Sequence, residues 1–255
     1  MNLQIESLTH KFSSGKPPRT ALSDFSLSVD SGQFVALIGT SGCGKTTLLR
    51  LVGDLLQPTH GSLTLDGQKP AEVRKSHGIA WMAQSPALLP WLTARQNVAL
   101  AQQFIPVNGH PRLSVDGILE RVGLSDVGNA HPFTLSGGMQ QRLALGRLLA
   151  MDARLWLMDE PFAALDEITR ERLTAELLEL WQPLHPTVLW VTHNIYEALR
   201  LADRVVVFTP SPGRVAADVT ISLPRPRRED DPRFQEILSR LRSALAYPSV
   251  GQVTS

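Results

Sequence analysis

Residues 34–52, FVALIGTSGCGKTTLLRLV, begin with a short apolar run, pass through a glycine-rich loop and end in a helical pattern. The loop, Gly39 to Thr46, matches G-x-x-x-x-G-K-[ST], in which glycines let backbone N–H groups wrap a phosphate without an obstructing Cβ. A chance match is the alternative, but an apolar strand before the loop and a helix after it supply the context that the motif requires. The stretch therefore predicts a phosphate site for a nucleotide.

The side chains of this loop have separate expected tasks. Lys45 neutralises the β- and γ-phosphate oxygens, and the Thr46 hydroxyl holds Mg²⁺. Cys43 is either a small loop residue or, beside Lys45 and a helix start, a thiol with a lowered pKa and high reactivity. The residues expected to contact the nucleotide here are Gly39, Ser41, Gly42, Cys43, Gly44, Lys45, Thr46 and Thr47.

A second glycine-rich run, LSGGMQQR at residues 135–142, lies far from the first. It opens a helical pattern, so its backbone N–H groups and the Ser136 hydroxyl face an anion at a helix start. Two such anion sites are one more than a single nucleotide needs. The economical explanation is a head-to-tail pair of chains, in which each copy closes its second site over the other's nucleotide.

The composition excludes some classes of function but does not identify one. The chain has 255 residues, 43% of them hydrophobic, and a net charge of +1, so nucleic-acid binding through a strongly basic face has weak support. Its single cysteine excludes an internal disulfide. The start lacks the layout of a signal peptide, and no apolar run approaches the roughly 20 residues of a membrane span. Any membrane role is expected to go through a partner.

Buried strand patterns alternate with helical ones along most of the chain, which predicts an α/β fold with a mainly parallel sheet. We expect an antiparallel β subdomain at the N-terminus, an inserted α-helical subdomain at about residues 91–151, and an extension at residues 224–255 with a short amphipathic helix. That helix is expected to pack on its own domain rather than on a partner. The predicted strands of the parallel sheet are residues 34–38, 155–158, 188–192 and 204–208.

Chemistry-bearing residues follow several of these strands. Asp159 and Glu160 come after the apolar run LWLM, where the first carboxylate would bind Mg²⁺ and the second would accept a proton from attacking water. His193 follows VLWVT and would reach a γ-phosphate. Ligands bind at the carboxyl ends of parallel strands, so residues distant in sequence are expected to surround one phosphate. A solvated turn and an ordinary surface histidine are the alternatives.

Taken together, these motifs resemble the ATP-binding cassette (ABC) family over about residues 1–223, with the fold of a P-loop NTPase. The resemblance implies that His193 is the switch histidine, that Gln84 senses Mg²⁺ and the γ-phosphate, and that Phe12 stacks on adenine, with a core phenylalanine as its alternative. The resemblance identifies LSGGMQQR, residues 135–142, as the family's signature run, which contacts the ATP bound to a second copy. The remaining site residues are Ser136, Gly137, Gly138 and Gln140 of this signature run and Asp166 at the dimer seam.

Two departures from the family pattern are Met139, where Gln is common, and Asn194, where Asp is usual.

The segment SPALLPWLTARQNVAL and the later LPRPR are similar to ATPases of importers for nitrate, taurine, alkanesulfonates and thiamin precursors. The resemblance therefore implies a homodimeric, Mg²⁺-dependent ATPase at the cytoplasmic face of the membrane. Its partners would be permease subunits and, indirectly, a solute-binding protein. The apolar surface from Ala87 to Trp91 would either receive the permease's coupling helix or pack internally. The alternatives are a soluble, non-transport ABC ATPase and a nucleotide-binding regulator that does not hydrolyse ATP.

Overall fold

The structure is a computed structural model and describes residues 1–13, 18–103, 113–247 and 252–253. The chain divides into two compact units. The first comprises Met1–Ser76 with Pro186–Ser255, and the second comprises His77–His185. Residues 105–112, IPVNGHPR, have a proline and glycine content that predicts a break between helical segments, and they lie outside the described residues.

Within the described residues, the first unit contains most of the strands and four helices. Its elements in chain order are β1 Leu3–Phe12, β2 Arg19–Val29, β3 Phe34–Ile38, α1 Lys45–Val52, β4 His60–Leu65, α2 Pro70–Lys75, β7 Thr187–Val191, α7 Ile195–Leu201, β8 Arg204–Phe208, β9 Val215–Thr220, α8 Pro232–Ala246 and β10 Gln252–Val253. The second unit contains β5 Ile79–Met82, α3 Ala94–Gln103, α4 Val115–Arg121, α5 Gly137–Ala150, β6 Leu155–Asp159 and α6 Glu167–Leu184.

The central sheet of the first unit is built around β3, and all five residues of that strand are buried. β3 pairs in parallel with β7 on one side and with β8 on the other. β8 then pairs antiparallel with β9. A strand buried on both faces needs a continuous apolar run, which is what FVALI supplies. The expected α/β fold with a mainly parallel sheet is confirmed, and the antiparallel pairing of β9 with β8 was not predicted.

A separate antiparallel sheet has the order β2-β1-β4 and contains the N-terminus, as predicted. β1 alternates buried and exposed residues at its start, because one face of this sheet packs on the core and the other meets solvent. After β4, Leu65 and Gln68 form a bridge around Asp66-Gly67, a pair of residues typical of tight turns.

The second unit is mainly helical and has a short parallel pair, β5 with β6. The helices α3, α4 and α5 all lie within the range predicted for the inserted lobe, whereas the compact unit is wider, His77–His185. The apolar faces of these three helices pack on one another around Val98, Ile118 and Leu143, which are buried. The predicted domain boundaries remain predictions, because a compact unit need not coincide with a subdomain.

The C-terminal helix α8 packs on its own unit. Three residues of its predicted apolar stripe, Phe234, Leu238 and Leu241, are at most 1% exposed. Asp231 caps the helix by accepting a hydrogen bond from the backbone N–H of Arg233. Among the described residues, no helix is both long and apolar enough to span a bilayer.

Replacing Phe234 with Ala should lower the free energy of unfolding by about 3 to 5 kcal/mol, because a fully buried ring is removed and a cavity remains. Urea denaturation followed by circular dichroism measures the change. The control is Tyr247→Ala, since the Tyr247 side chain is 83% exposed and its loss should cost no more than about 0.5 kcal/mol. Equal effects of the two substitutions would mean that α8 does not pack as described.

Candidate functional site

The phosphate loop, residues 39–46, joins the buried end of β3 to the start of α1. Lys45 is 6% exposed, and its ammonium group donates hydrogen bonds to the carbonyl oxygens of Gly39 at 2.7 Å and Thr40 at 3.1 Å. The positive charge is therefore fixed against the loop rather than extended into solvent. Arg19 adds a second cation, whose Nη2 donates to the Gly42 carbonyl at 3.1 Å.

Close backbone packing determines the shape of the loop. Gly44 has a φ of 112° and precedes α1, and a Cβ built on it would lie 2.7 Å from Leu22 Cδ2. Gly213 lies 169 residues beyond that position, and a Cβ there would lie 2.1 Å from the Cys43 carbonyl oxygen. Gly213 is paired with the β2 region, since its N–H donates to the Ala21 carbonyl at 2.9 Å. Sequence reasoning did not identify Gly213, whose only signal is the turn composition of SPG.

Cys43 does not have the lowered pKa that its position beside Lys45 predicts. The thiol is 1% exposed, and burial raises its pKa because the charged thiolate is disfavoured away from water. The Lys45 charge acts in the opposite direction, with its ammonium 3.8 Å from the sulfur, but it does not outweigh burial. The expectation of an unusually reactive thiolate is therefore wrong. The alternative, a small residue that fills the loop, agrees with the structure.

His193 lies at the same edge of the central sheet as the phosphate loop, because β7 and β3 are parallel neighbours and both residues follow the strand ends. The His193 side chain is exposed. Its neighbour Thr192 is buried and donates to the carboxylate of Glu197 in α7 at 2.6 Å. Asn194 caps α7 by accepting from the N–H groups of Tyr196 at 2.9 Å and Glu197 at 3.3 Å. Asn194, which departs from the family pattern, therefore acts as a helix cap.

Phe12 ends β1 and is half-buried. Its ring meets the ring of His10 edge to face, with centroids 4.7 Å apart. Phe12 is not part of the buried core, which disfavours the alternative of a core phenylalanine. Adenine stacking stays a prediction.

In the second unit, Gln84 and the two carboxylates follow parallel neighbouring strands and so lie at one edge of that pair. Asp159 is the last residue of β6, and Glu160 follows it, both half-buried. Glu160 has a φ of 46°, in the left-handed region that non-glycine residues rarely adopt. Such conformations are concentrated at functional sites, where the surrounding structure stabilises them.

Two helix starts meet in this unit. Ser136 caps α5, its hydroxyl accepting from the Met139 N–H at 3.3 Å, and Asp166 caps α6, accepting from the Thr169 N–H at 2.9 Å. A Cβ built on Gly138 would lie 3.1 Å from Thr169 Cγ2, so the two starts pack directly on each other. The structure thus brings the signature run and Asp166 together. The Thr169 N–H also lowers the pKa of Asp166, because it stabilises the ionised carboxylate.

Two glutamines connect the signature helix to nearby loops. The amide of Gln140 donates to the carbonyls of Pro132 at 2.9 Å and Leu135 at 3.2 Å, which orders the turn before the run. The amide of the buried Gln141 donates to the Gln84 carbonyl at 3.3 Å. Gln84 therefore lies beside the start of α5 although 57 residues separate Gln84 from Gln141. Sequence reasoning named Gln140 and missed Gln141.

Comparison with known families matches residues 22–163 to the family described as ABC transporter. A similar protein is the nitrate import ATP-binding protein NrtD of Synechococcus elongatus, 42% identical over 247 residues that cover 92% of this chain and 88% of that protein. Another is the taurine import ATP-binding protein TauB of Mesorhizobium japonicum, 45% identical over 199 residues that cover 78% of this chain and 77% of that protein.

A similar solved structure is the dimeric, post-hydrolysis state of the ATP-binding cassette MJ0796 bound to ADP and Pi. The TM-score is 0.74 at 30% sequence identity, and the match covers 86% of this chain and 98% of that chain. The likeness extends well beyond the phosphate loop, so it concerns the whole cassette rather than one motif.

Maleimide should label Cys43 at pH 7 at least about tenfold more slowly in the native chain than in the chain unfolded in guanidinium chloride, because the reaction needs both access and a thiolate. Since the pKa is raised, the rate in the native chain should continue to rise at pH values where the unfolded chain has levelled off. Mass spectrometry of the single cysteine measures both rates. Equal rates at pH 7 would contradict the burial of this thiol.

Proposed function

The chain belongs to the ABC transporter family, whose cassettes bind and hydrolyse ATP, and on that premise we propose that it is the ATPase subunit of a membrane importer. The observation that carries the proposal is the signature run at a capped helix start, in a chain more than 40% identical to import ATP-binding proteins. A regulator that only binds nucleotide would not need this run together with Asp159, Glu160 and His193.

In the proposed mechanism, the phosphate loop binds the β- and γ-phosphates through its backbone N–H groups and Lys45. The Lys45 charge already lies against the loop, so little rearrangement is needed to bring it to a phosphate oxygen. Phe12 stacks on the adenine by its ring face. These contacts determine binding, and they leave hydrolysis to other residues.

Hydrolysis requires a group that accepts a proton from the attacking water, and we assign this to Glu160. Its backbone conformation is one that surrounding structure must stabilise, as expected for a side chain with a fixed direction. We assign His193 to contact with the γ-phosphate and Gln84 to sensing of the γ-phosphate and its metal. The His193 imidazole is exposed, at the edge of the sheet where the phosphate loop also lies.

The sequence assigns three residues to Mg²⁺: Thr46 in the first turn of α1, Asp159 and Gln84. Their hydroxyl, carboxylate and amide oxygens are hard donors, which this ion prefers. Among the described residues there is no cluster of three or more His, Cys, Asp or Glu that would form a protein-only metal site. These three protein donors fit a metal that is otherwise held by the nucleotide's phosphates. When bound, Mg²⁺ would neutralise charge on those phosphates.

We propose that two copies assemble head to tail, so that the signature run of one copy faces the ATP on the phosphate loop of the other. The helix start at Ser136 supplies N–H groups and a hydroxyl for an anion. The solved cassette of similar fold is dimeric, which supports the assembly of two copies. Asp166 caps the adjacent helix start and is assigned to the same interface.

The permease is expected to dock on the helical unit. A groove of about 280 Å³ in this unit is lined mainly by apolar residues, among them Trp81, Met82, Ala87, Leu100 and Met151. Arg147 donates to the Ala87 carbonyl at 2.6 Å and thereby supports the groove's rim. We assign the groove and the exposed Ala87 and Trp91 to the permease's coupling helix. Docking there would place the subunit at the cytoplasmic face of the membrane, where a solute-binding protein is an indirect partner.

The cargo belongs to the class of small oxyanion and organic nutrients that the names of the similar proteins suggest, here nitrate and taurine. Sulfonates and thiamin precursors are included in the same proposal. The ATPase does not contact the cargo, so its own residues do not distinguish among these. A soluble, non-transport role is less well supported, because the similar proteins are import subunits over most of the chain's length.

Replacing Glu160 with Gln should reduce steady-state ATP hydrolysis by about 10² to 10⁴, because the proton acceptor is lost while the shape is kept. ATP binding should persist, and the variant should form an ATP-dependent dimer in size-exclusion chromatography. Lys45→Ala should instead lose both ATP binding and dimerisation.

The matched control is Glu179→Gln, since Glu179 is an exposed carboxylate on α6 of the same unit and its loss should leave turnover unchanged. Phosphate release from protein free of contaminating ATPases is the measurement. Near-normal turnover of Glu160→Gln would remove this residue from the base role and leave His193 as the next candidate.

A further inference from the structure

The helix α7 begins at Ile195, and its N-terminal part bonds to the residues on either side of His193. Asn194 caps the helix, and Thr192 both donates to Glu197 at 2.6 Å and accepts from the Asn194 N–H at 2.9 Å. Thr192 and Glu197 are both buried. Because residues on both sides of His193 bond to α7, any shift of this helix moves the His193 backbone with it.

The other end of α7 is held by arginines from the segment after β9. Arg227 Nη1 donates to the carbonyls of Leu199 at 2.5 Å and Ala202 at 2.6 Å. Arg225 Nε donates to the Leu201 carbonyl at 2.9 Å. The last carbonyls of a helix have no partner within it and carry partial negative charge, so a guanidinium both satisfies and neutralises them.

The same segment also contacts the side of α7. Glu229 pairs with Arg200 at 2.6 Å, and the ring of the fully buried Phe234 stacks on Tyr196 with centroids 6.4 Å apart. Arg242 donates to the Tyr196 hydroxyl at 3.0 Å. We name residues 223–242 the clasp, because they contact α7 at its first turn, its middle and its last carbonyls.

Arg227 is the centre of the clasp. Burial and the neighbouring Arg225 charge lower the pKa of Arg227 to about 10, so it remains a cation at neutral pH. Its Nε also donates to the Leu223 carbonyl at 2.9 Å. Arg225 in turn pairs with Asp203 at 2.7 Å, and Asp203 accepts from the Phe34 N–H at 2.9 Å. The clasp is therefore joined to the first residue of β3, the strand that leads into the phosphate loop.

We propose that the clasp positions His193 for ATP hydrolysis, with Arg227 as the positioning residue that acts through α7. The inference rests on the role of His193 in the proposed function and adds to it the element that sets the histidine's location. Arg227 contacts only backbone carbonyls in the bonds described, so its effect passes through the placement of α7 and not through contact with ATP.

The test compares two adjacent arginines in the full-length chain. Arg227→Gln should lower kcat for ATP hydrolysis by about 10- to 100-fold, the range expected when a reacting group is displaced by a fraction of an ångström to 1 Å. The dissociation constant for a fluorescent ATP analogue should stay within about twofold, because the phosphate loop is unchanged. Arg228→Gln is the control, since the Arg228 side chain is 79% exposed and pairs with Asp230, and it should hydrolyse ATP like wild type.

A double variant separates positioning from general stability. If Arg227 acts through His193, adding Arg227→Gln to His193→Ala should cause no further loss of kcat. Multiplied losses in the double variant, or wild-type turnover in Arg227→Gln, would overturn the inference while leaving the proposed function intact. Wild-type turnover in His193→Ala would overturn both the histidine's proposed role and the inference.

Arg227→Lys provides the same test should Arg227→Gln not fold. A lysine keeps the charge but reaches fewer carbonyls than the forked guanidinium, so the loss of kcat should be smaller and should again vanish in the His193→Ala background. Turnover equal to wild type in Arg227→Lys, with Arg227→Gln unfolded, would overturn the positioning role in favour of a purely structural one.

Discussion

Close packing of backbone against backbone around residues 39–46 is the constraint on which the rest of this structure depends. A Cβ at Gly44 would lie 2.8 Å from the Ala21 carbonyl oxygen, and one at Gly213 would lie 2.1 Å from the Cys43 carbonyl oxygen. Distances this short exclude every residue except glycine, so the N–H groups of the loop are held in one arrangement. The same packing buries Lys45 against two carbonyls of the loop, which keeps its charge in place.

Local patterns were sufficient to predict the strands β3, β6, β7 and β8 and the helix α1, but not the antiparallel strand β9. The apolar run at β3, the glycine loop and the helix α1 are adjacent in sequence, and each has a strong signal of its own. Contacts between residues far apart in the sequence had no comparable sequence pattern. Gly213 and Arg227 act on backbone groups that are distant along the chain, and a backbone carbonyl looks the same in every residue. The pKa of Cys43 could not be predicted for a different reason. Burial raises this pKa and the Lys45 charge lowers it, and the sequence shows that Lys45 is near but not how deeply the thiol is buried.

The two compact units contain different parts of the chemistry. The first has the phosphate loop, Phe12 and His193, and its clasp fixes the helix that follows the histidine. The second has Gln84, Asp159 and Glu160, and its two capped helix starts bring Ser136 close to Asp166. The substitution expected to remove ATP binding, at Lys45, and the one expected to remove only hydrolysis, at Glu160, therefore lie in different units.

Mixing two variants tests the shared site between copies most directly. A Lys45→Ala chain has a damaged phosphate loop and an intact signature run, whereas a Ser136→Arg chain has the reverse. Their heterodimer contains one intact composite site and one with both defects, so chemical crosslinking should show ATP-dependent closure in the mixture and little in either variant alone. Closure of each variant alone at the wild-type level, or no gain in the mixture, would contradict a head-to-tail dimer in which one copy completes the ATP site of the other.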